Sequence, residues 1–425
     1  MSVSAAWSFP TALRLAVGCV AELAEICAQH GIARPLIVTD PGVVQLTAFD
    51  AVQSSFDRPV PVFSSIQPNP VGANIDDGVE VFRSGGHDGV IAVGGGSALD
   101  CGKLIAFQAG QARPLWDFED IGDQWARADG RAIAPVIAVP TTAGTGSEVG
   151  RAGVVIDEDA QRKVIIFHPK MMPVAVLSDP ELTVGLPTEL TVGTGMDALS
   201  HSLEALCAPS YHPMAHGIGL EGCRLVLEHL PRVVRDPGDL GSRTHMMAAA
   251  AMGAVAFQKG LGGMHALAHP IGAVFDTHHG MTNAVLMPFV LTANRAAIDE
   301  TITRLAAYLD IPGGTDGFID HVVSLRDELG VPHRLTDLGV DVERVSGIAE
   351  AAAVDPSASG NPIPFTEAFA TEVFVNACTG TLKADTRVKI KHQGQIRLRI
   401  RHDFAVQLFD QVTVAIAGTA LVGAR

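Results

Sequence analysis

Asp197 and His201 stand four residues apart in Gly195-Met-Asp-Ala-Leu-Ser-His201, and His265 and His269 repeat that spacing in Gly263-Met-His-Ala-Leu-Ala-His269. On a helix, residues four apart share one face. His278 and His279 follow directly before Gly280. A lone histidine is ordinarily a core or surface residue, but two paired spacings and a further histidine in one region form a candidate ligand set. One carboxylate and three imidazoles from this group suit Fe(II) or Zn(II). Coincidental spacing within a helical core is the competing reading.

Two glycine-containing loops carry a second chemistry. Gly94, Gly95, Gly96 and Ser97 follow a β-branched run and open a helical stretch holding Asp100 and Lys103. Glycines let a backbone approach a pyrophosphate, and a helix N-terminus offers free N–H groups to it. Alone this motif reads equally well as a tight turn. The second loop, Pro140-Thr-Thr-Ala-Gly-Thr-Gly-Ser-Glu148, brings Thr141, Thr142 and Ser147 after another strand. Two such loops at the carboxyl edge of a parallel sheet point to a dinucleotide. Asp40 closes an earlier strand, where an acid accepts hydrogen bonds from an adenosine ribose and repels a 2′-phosphate, favouring NAD over NADP. Its alternative role is a cap beside Pro41.

The elements that position these residues change character near the middle of the chain. Pro35 to Asp40, Gly89 to Val93 and Pro135 to Val139 are short apolar runs of the kind that form buried parallel strands. Helical stretches, Ile75 to Ser84 and Ala98 to Ala109, lie between them. After Asp179-Pro180 the chain turns Ala-, Leu- and His-rich, and Leu190 to Cys207, Gly217 to Leu230 and His245 to Phe257 read as helices. The expected architecture is an α/β dinucleotide-binding domain over 1–185 and an all-α metal-binding domain over 186–425. From about residue 381 the tail is atypical: apolar and basic residues alternate from Thr386 to Arg401, a hairpin pattern.

Bulk properties narrow the function classes. A formal net charge of -16 argues against nucleic acid as a partner, since phosphate binding needs concentrated Lys and Arg. No run reaches the roughly 18 apolar residues of a membrane span, and the N-terminus lacks the basic start and apolar core of a signal peptide. Six scattered cysteines without a CxxC pair fit a reducing, cytoplasmic setting.

Jointly, Gly94-Gly-Gly-Ser-Ala-Leu-Asp-Cys-Gly-Lys103, Pro140 to Glu148, Asp179-Pro-Glu-Leu, Gly195 to His201 and His265 to Gly280 resemble the iron-containing alcohol dehydrogenases, colinearly from about residue 10 to 380. The resemblance implies a dehydroquinate synthase-like architecture and a homo-oligomer, expected to be a dimer. It implies hydride exchange between NAD and a small alcohol or aldehyde whose oxygen is polarised by a divalent metal, Fe(II) before Zn(II). By position the ligands become Asp197, His201, His265 and His279, while His269 falls near the substrate as a proton relay or a supporting hydrogen-bond partner. The cofactor set becomes Asp40, Gly94, Gly95, Gly96, Ser97, Asp100, Thr141, Thr142, Ser147 and Lys163.

In the family the stretch after Glu148 runs along the substrate pocket. Arg151 there can pair bidentately with a carboxylate, favouring substrates with an anionic end such as 4-hydroxybutyrate; pairing with Glu148 or exposure to solvent are its other readings. The tail after Cys378 departs from the family pattern. Glycerol-dehydrogenase-like or dehydroquinate-synthase-like chemistry, a metal-free reductase and an inactive binding protein remain the alternative functions.

Overall fold

The computed structural model describes Ser8, residues 10–160 and residues 162–382, which belong to one compact unit ending at Leu382. The hairpin expected over 386–401 lies outside the described residues. The strands are β1 (Ala12–Leu15), β2 (Pro35–Val38), β3 (Val62–Phe63), β4 (Gly89–Gly94), β5 (Val136–Pro140), β6 (Ala152–Asp157), β7 (Arg162–Phe167) and β8 (Ala175–Ser178). The helices are α1 (Leu23–Gln29), α2 (Thr47–Ser54), α3 (Gly72–Ser84), α4 (Gly96–Gln108), α5 (Thr188–Cys207), α6 (Pro213–Arg235), α7 (Leu240–Ala256), α8 (Gly263–Phe275), α9 (His279–Tyr308), α10 (Gly314–Glu328), α11 (Val345–Ala353) and α12 (Glu367–Thr379).

Six strands form a parallel sheet in the order β1-β8-β5-β4-β2-β3. Its central strands are apolar on both faces because both faces are covered. Leu36, Val38, Val90 and Ala92 join one core, while the alternate residues Ile37, Ile91 and Val93 join the other. The chain runs outward from β2 to β3, then returns to lay β4 on the opposite side of β2. That reversal creates a crevice at the carboxyl ends of β2 and β4, the place where open α/β sheets bind ligands.

An antiparallel pair, β6 and β7, stands apart from the main sheet. Its signal was present as two β-branched runs about the polar turn Asp157-Glu158-Asp159. The remaining described helices pack on a separate apolar core built largely from α5, α6, α7, α9 and α12. The fold is therefore a parallel α/β portion followed by a helical portion.

Helix α5 runs through the middle of the helical portion, and every residue from Thr191 to Leu206 is buried. Small residues make this possible. A Cβ on Gly195 would stand 2.5 Å from Leu230, and a Cβ on Gly280 would stand 2.1 Å from the carbonyl oxygen of Gly193. The glycine contact lets the start of α9 press against α5, which brings His279 beside Asp197.

Candidate active site

Asp40 lies just past the end of β2, and its Oδ1 accepts from the N–H groups of Gly42 and Val43, 2.9 Å from each. It thus caps the turn after Pro41. Its Oδ2 faces the other side of the crevice, 3.3 Å from where Gly94 would carry a Cβ. Gly94 adopts φ +142, and a Cβ there would also stand 2.7 Å from that of Ala98, so glycine is required. Gly95 is the N-cap of α4 and supplies no side chain to its first N–H groups.

The two loops are packed on each other. The N–H of Thr141 donates to the carbonyl of Gly94 at 3.0 Å. A Cβ on Gly95 would touch Thr142, and one on Gly96 would press on Thr145. Ser97 donates to the carbonyl of Pro68. Asp100 and Ser147 bond to each other rather than to open space, and Asp100 also accepts from the N–H of Val154 at 3.0 Å. Lys103, buried, donates to Ser147 and to the carbonyl of Ala152 and pairs with Asp100 at 3.1 Å. This network ties α4, the second loop and β6 into one body behind the crevice.

Lys163 reaches from β7 toward α8: its Nζ lies 3.8 Å from the position of a Cβ on Gly272. Burial lowers its pKa, against the pull of Asp276 and Asp100. Arg151 is placed elsewhere. Its guanidinium lies over the Phe167 ring, 5.3 Å from the centroid. No ion pair to Glu148 forms; burial pushes the Glu148 carboxyl up to about 7, partly offset by its own backbone N–H and by Lys103.

The structure brings Asp197, His265 and His279 together, with His201 beside them. Asp197 and His201 lie on one face of α5, His265 and His269 on one face of α8, and His279 opens α9. Asp197 Oδ1 is 3.8 Å from His265 Nε2 and 3.7 Å from His279 Nε2. One donor atom from each of these three residues lies within 4.8 Å of the others. His201 Nε2 is 3.9 Å from the other carboxylate oxygen, and its ring stacks on that of His265 at 4.9 Å. Burial, with the neighbouring rings, holds His265 and His279 well below the usual imidazole range, so both are neutral and present lone pairs.

Three residues in this cluster were not singled out from the sequence. Glu204 continues the Asp197–His201 stripe of α5 and accepts from His265 Nδ1 at 2.7 Å. Asn283, one turn after His279, directs its Nδ2 to Asp197 Oδ1, His265 Nε2 and His279 Nε2 at 2.9, 3.3 and 3.2 Å. Asp355 accepts from His269 Nδ1 at 2.9 Å. The i,i+4 and i,i+7 spacings could have flagged Asn283 and Glu204; Asp355 lies 86 residues from His269 and had no local signal. His278 caps α9 by accepting from Met281 at 3.2 Å and does not join the cluster.

The donor set fits a divalent cation. A carboxylate and two neutral imidazoles meet around one amide, and two buried polar atoms, His201 Nδ1 and Asn283 Oδ1, have no hydrogen-bond partner. Such a gathering of lone pairs is costly unless a cation or donor is shared among them.

The profile of the iron-containing alcohol dehydrogenases matches residues 10–180, and that of the C-terminal part of the Fe-containing alcohol dehydrogenase family matches residues 191–378. The chain belongs to the iron-containing alcohol dehydrogenase family. The 4-hydroxybutyrate dehydrogenase of Cupriavidus necator is 40% identical over 366 residues, covering 83% of this chain and 94% of that one. The 1,3-propanediol dehydrogenase of Citrobacter freundii is 33% identical over 375 residues, covering 84% and 95%. Among solved structures, sulfoacetaldehyde reductase from Bifidobacterium kashiwanohense in complex with NAD+ is similar with a TM-score of 0.81 and 25% identity, covering 89% of this chain and 99% of that one. As an iron-containing alcohol dehydrogenase the chain is an oxidoreductase that interconverts an alcohol and its carbonyl compound. Among the described residues no helix is long and apolar enough to cross a membrane.

Proposed function

We propose that the protein is an NAD-dependent, metal-dependent dehydrogenase of short alcohols that carry an anionic end, with 4-hydroxybutyrate as the type of substrate. The observation that carries the metal-dependent part is the convergence of Asp197, His265 and His279 with His201 alongside. These four residues hold the ion, and Fe(II) is the first candidate, Zn(II) the second. Bound metal supplies Lewis acidity at the alcohol or carbonyl oxygen, and bound NAD supplies the hydride partner.

The chain's own residues bind and orient. Gly94, Gly95, Gly96 and Ser97 offer the α4 N-terminus to the pyrophosphate, with Thr141, Thr142 and Lys163 closing over the cofactor and Asp100 and Ser147 fixing the loops. Asp40 receives the adenosine ribose, an arrangement that disfavours a 2′-phosphate. His269 moves a proton between the substrate oxygen and solvent. Its Nδ1 is engaged by Asp355, its ring stacks on His279 at 5.5 Å, and its side chain keeps 27% exposure, so Nε2 is the open nitrogen.

Two relatives act on molecules with an anionic end by their names, 4-hydroxybutyrate and sulfoacetaldehyde. Arg151 is the cation assigned to that end here: among the described residues its guanidinium has an aromatic neighbour and no ion-pair partner. Six free cysteines support a cytoplasmic setting. Among the described residues β1 is an edge strand of the sheet, and this edge is the surface assigned to a homodimer; the two domains are taken to divide near residue 185. The deciding experiment is metal analysis together with an NADH-linked assay on 4-hydroxybutyrate, in wild type and His265→Ala. Loss of both metal and turnover is expected in the variant; full stoichiometric metal there overturns the assignment.

A further inference from the structure

One buried carboxylate closes two structural needs at once. Glu204 lies seven residues after Asp197 and three after His201, on the same face of α5, and is 4% exposed. Its Oε1 accepts from the N–H of Met264 at 2.6 Å. Its Oε2 accepts from the N–H of Gly262 at 2.9 Å and from His265 Nδ1 at 2.7 Å. Helix α8 begins at Gly263, and its N-cap, Gly262, has no side chain to satisfy the first orphan N–H groups. Asn361 Oδ1 accepts from the N–H of Gly263 at 3.2 Å, Glu204 of the neighbouring helix takes the N–H groups on either side of it, and the same carboxylate grips the imidazole in the first turn.

We propose that Glu204 is the positioning residue of the metal site: it holds His265 in the tautomer protonated on Nδ1 and binds the start of α8 to α5. The Nε2 of His265 is thereby left with its lone pair, 3.8 Å from Asp197 Oδ1 in the candidate ligand cluster. A carboxylate behind a ligating imidazole also raises the basicity of the ligand nitrogen, and removing such a partner typically weakens metal binding roughly 10- to 100-fold. A purely structural cap would have no such effect on affinity. Three N–H donors converge on the two oxygens, and a neutral amide cannot supply the same set of acceptors. Glutamine has one acceptor oxygen, so at least one of the three donors would face its NH2 group.

The inference rests on the metal-site reading above, and the test separates the two. Full-length wild type, His265→Ala, Glu204→Gln and Glu204→Asp are titrated with Co(II) against a chromophoric chelator, with circular dichroism and thermal unfolding as controls of folding. Glu204→Gln is expected to remain folded and to bind Co(II) roughly 10- to 100-fold more weakly than wild type, with a changed cobalt absorption spectrum. Glu204→Asp, which keeps the charge at shorter reach, is expected to fall between the two. It carries the test if the glutamine variant fails to fold. Wild-type Co(II) affinity in a folded Glu204 variant, even one with lowered stability, overturns the proposal and leaves Glu204 as a cap. If His265→Ala binds Co(II) as tightly as wild type, the metal-site reading itself falls, and this inference with it.

Discussion

Asn283 Nδ2 lies 2.9 Å from Asp197 Oδ1, joining α9 to α5 at the centre of the candidate ligand cluster. The same nitrogen reaches His265 Nε2 and His279 Nε2. An amide carries two N–H bonds, and here it faces three acceptors. Asn283→Leu keeps the volume and removes the donor. In protein stripped by a chelator the unfolding free energy should fall by about 1–3 kcal/mol, because buried acceptors lose their partner. With metal restored the loss should be smaller, since the ion draws on the same lone pairs. Chemical unfolding in both conditions checks this; equal losses would show that Asn283 serves packing alone.

Asp40 has two duties that a substitution can separate. Its Oδ1 caps the turn at Gly42 and Val43, while its charge faces Gly94. Asp40→Ser keeps a capping oxygen and removes the charge. The ratio of kcat/KM for NAD over NADP should fall about tenfold, which corresponds to about 1.4 kcal/mol. Asp40→Gly should narrow the ratio similarly and also lose the cap. Initial rates with both cofactors give the answer, and a wild type that prefers NADPH would refute the assignment.

Arg151 offers a guanidinium that stacks on Phe167. If it receives the anionic end of the substrate, Arg151→Ala should lower kcat/KM for succinic semialdehyde about ten- to hundredfold, the worth of one charge-assisted bond of roughly 1.5–3 kcal/mol. Butyraldehyde, similar in length and uncharged, should be almost unaffected. Parallel losses on both substrates, or none on either, would assign Arg151 to the hairpin and not to the substrate.

His216 gives a pH dependence with a definite sign. Burial, followed by the ammonium of Lys259 and the guanidinium of Arg304, pushes its pKa down from 6.5 to about 4. Between those values the unfolded chain holds more protons on this residue than the folded one, so stability rises with pH. The contribution is present above about 6.5 and is lost as pH falls through 4. Thermal unfolding from pH 7 to pH 4 should therefore show a shallower decline in Tm for His216→Gln than for wild type. Identical slopes would remove His216 from the acid response.

Much of this arrangement was legible in the chain. Short β-branched runs ending in small residues marked β2, β4 and β5, because a strand covered on both faces must be continuously apolar. The i,i+4 pairs at Asp197 and at His265 marked the two helices that carry the candidate ligands, because helical geometry alone puts those side chains on one face. The pair β6–β7 is equally local in origin, two β-branched runs about Asp157-Glu158-Asp159.

What the sequence by itself determined was the inventory of faces: which residues share a strand edge or a helix stripe, set by periods of 2 and 3.6. Only the tertiary structure decided which faces meet. The Gly193–Gly280 contact sets His279 against Asp197, and no period in either segment announces that the two glycines touch. The partners that fix the histidines lie 61 and 86 residues away, Glu204 for His265 and Asp355 for His269. Arg151 and Lys163 show the same limit. Both are cations near one hairpin, yet one lies over Phe167 and the other reaches Gly272 of α8. Local propensity acts over a few residues, whereas these pairings come from close packing of whole elements, which depends on the shape of every neighbour at once.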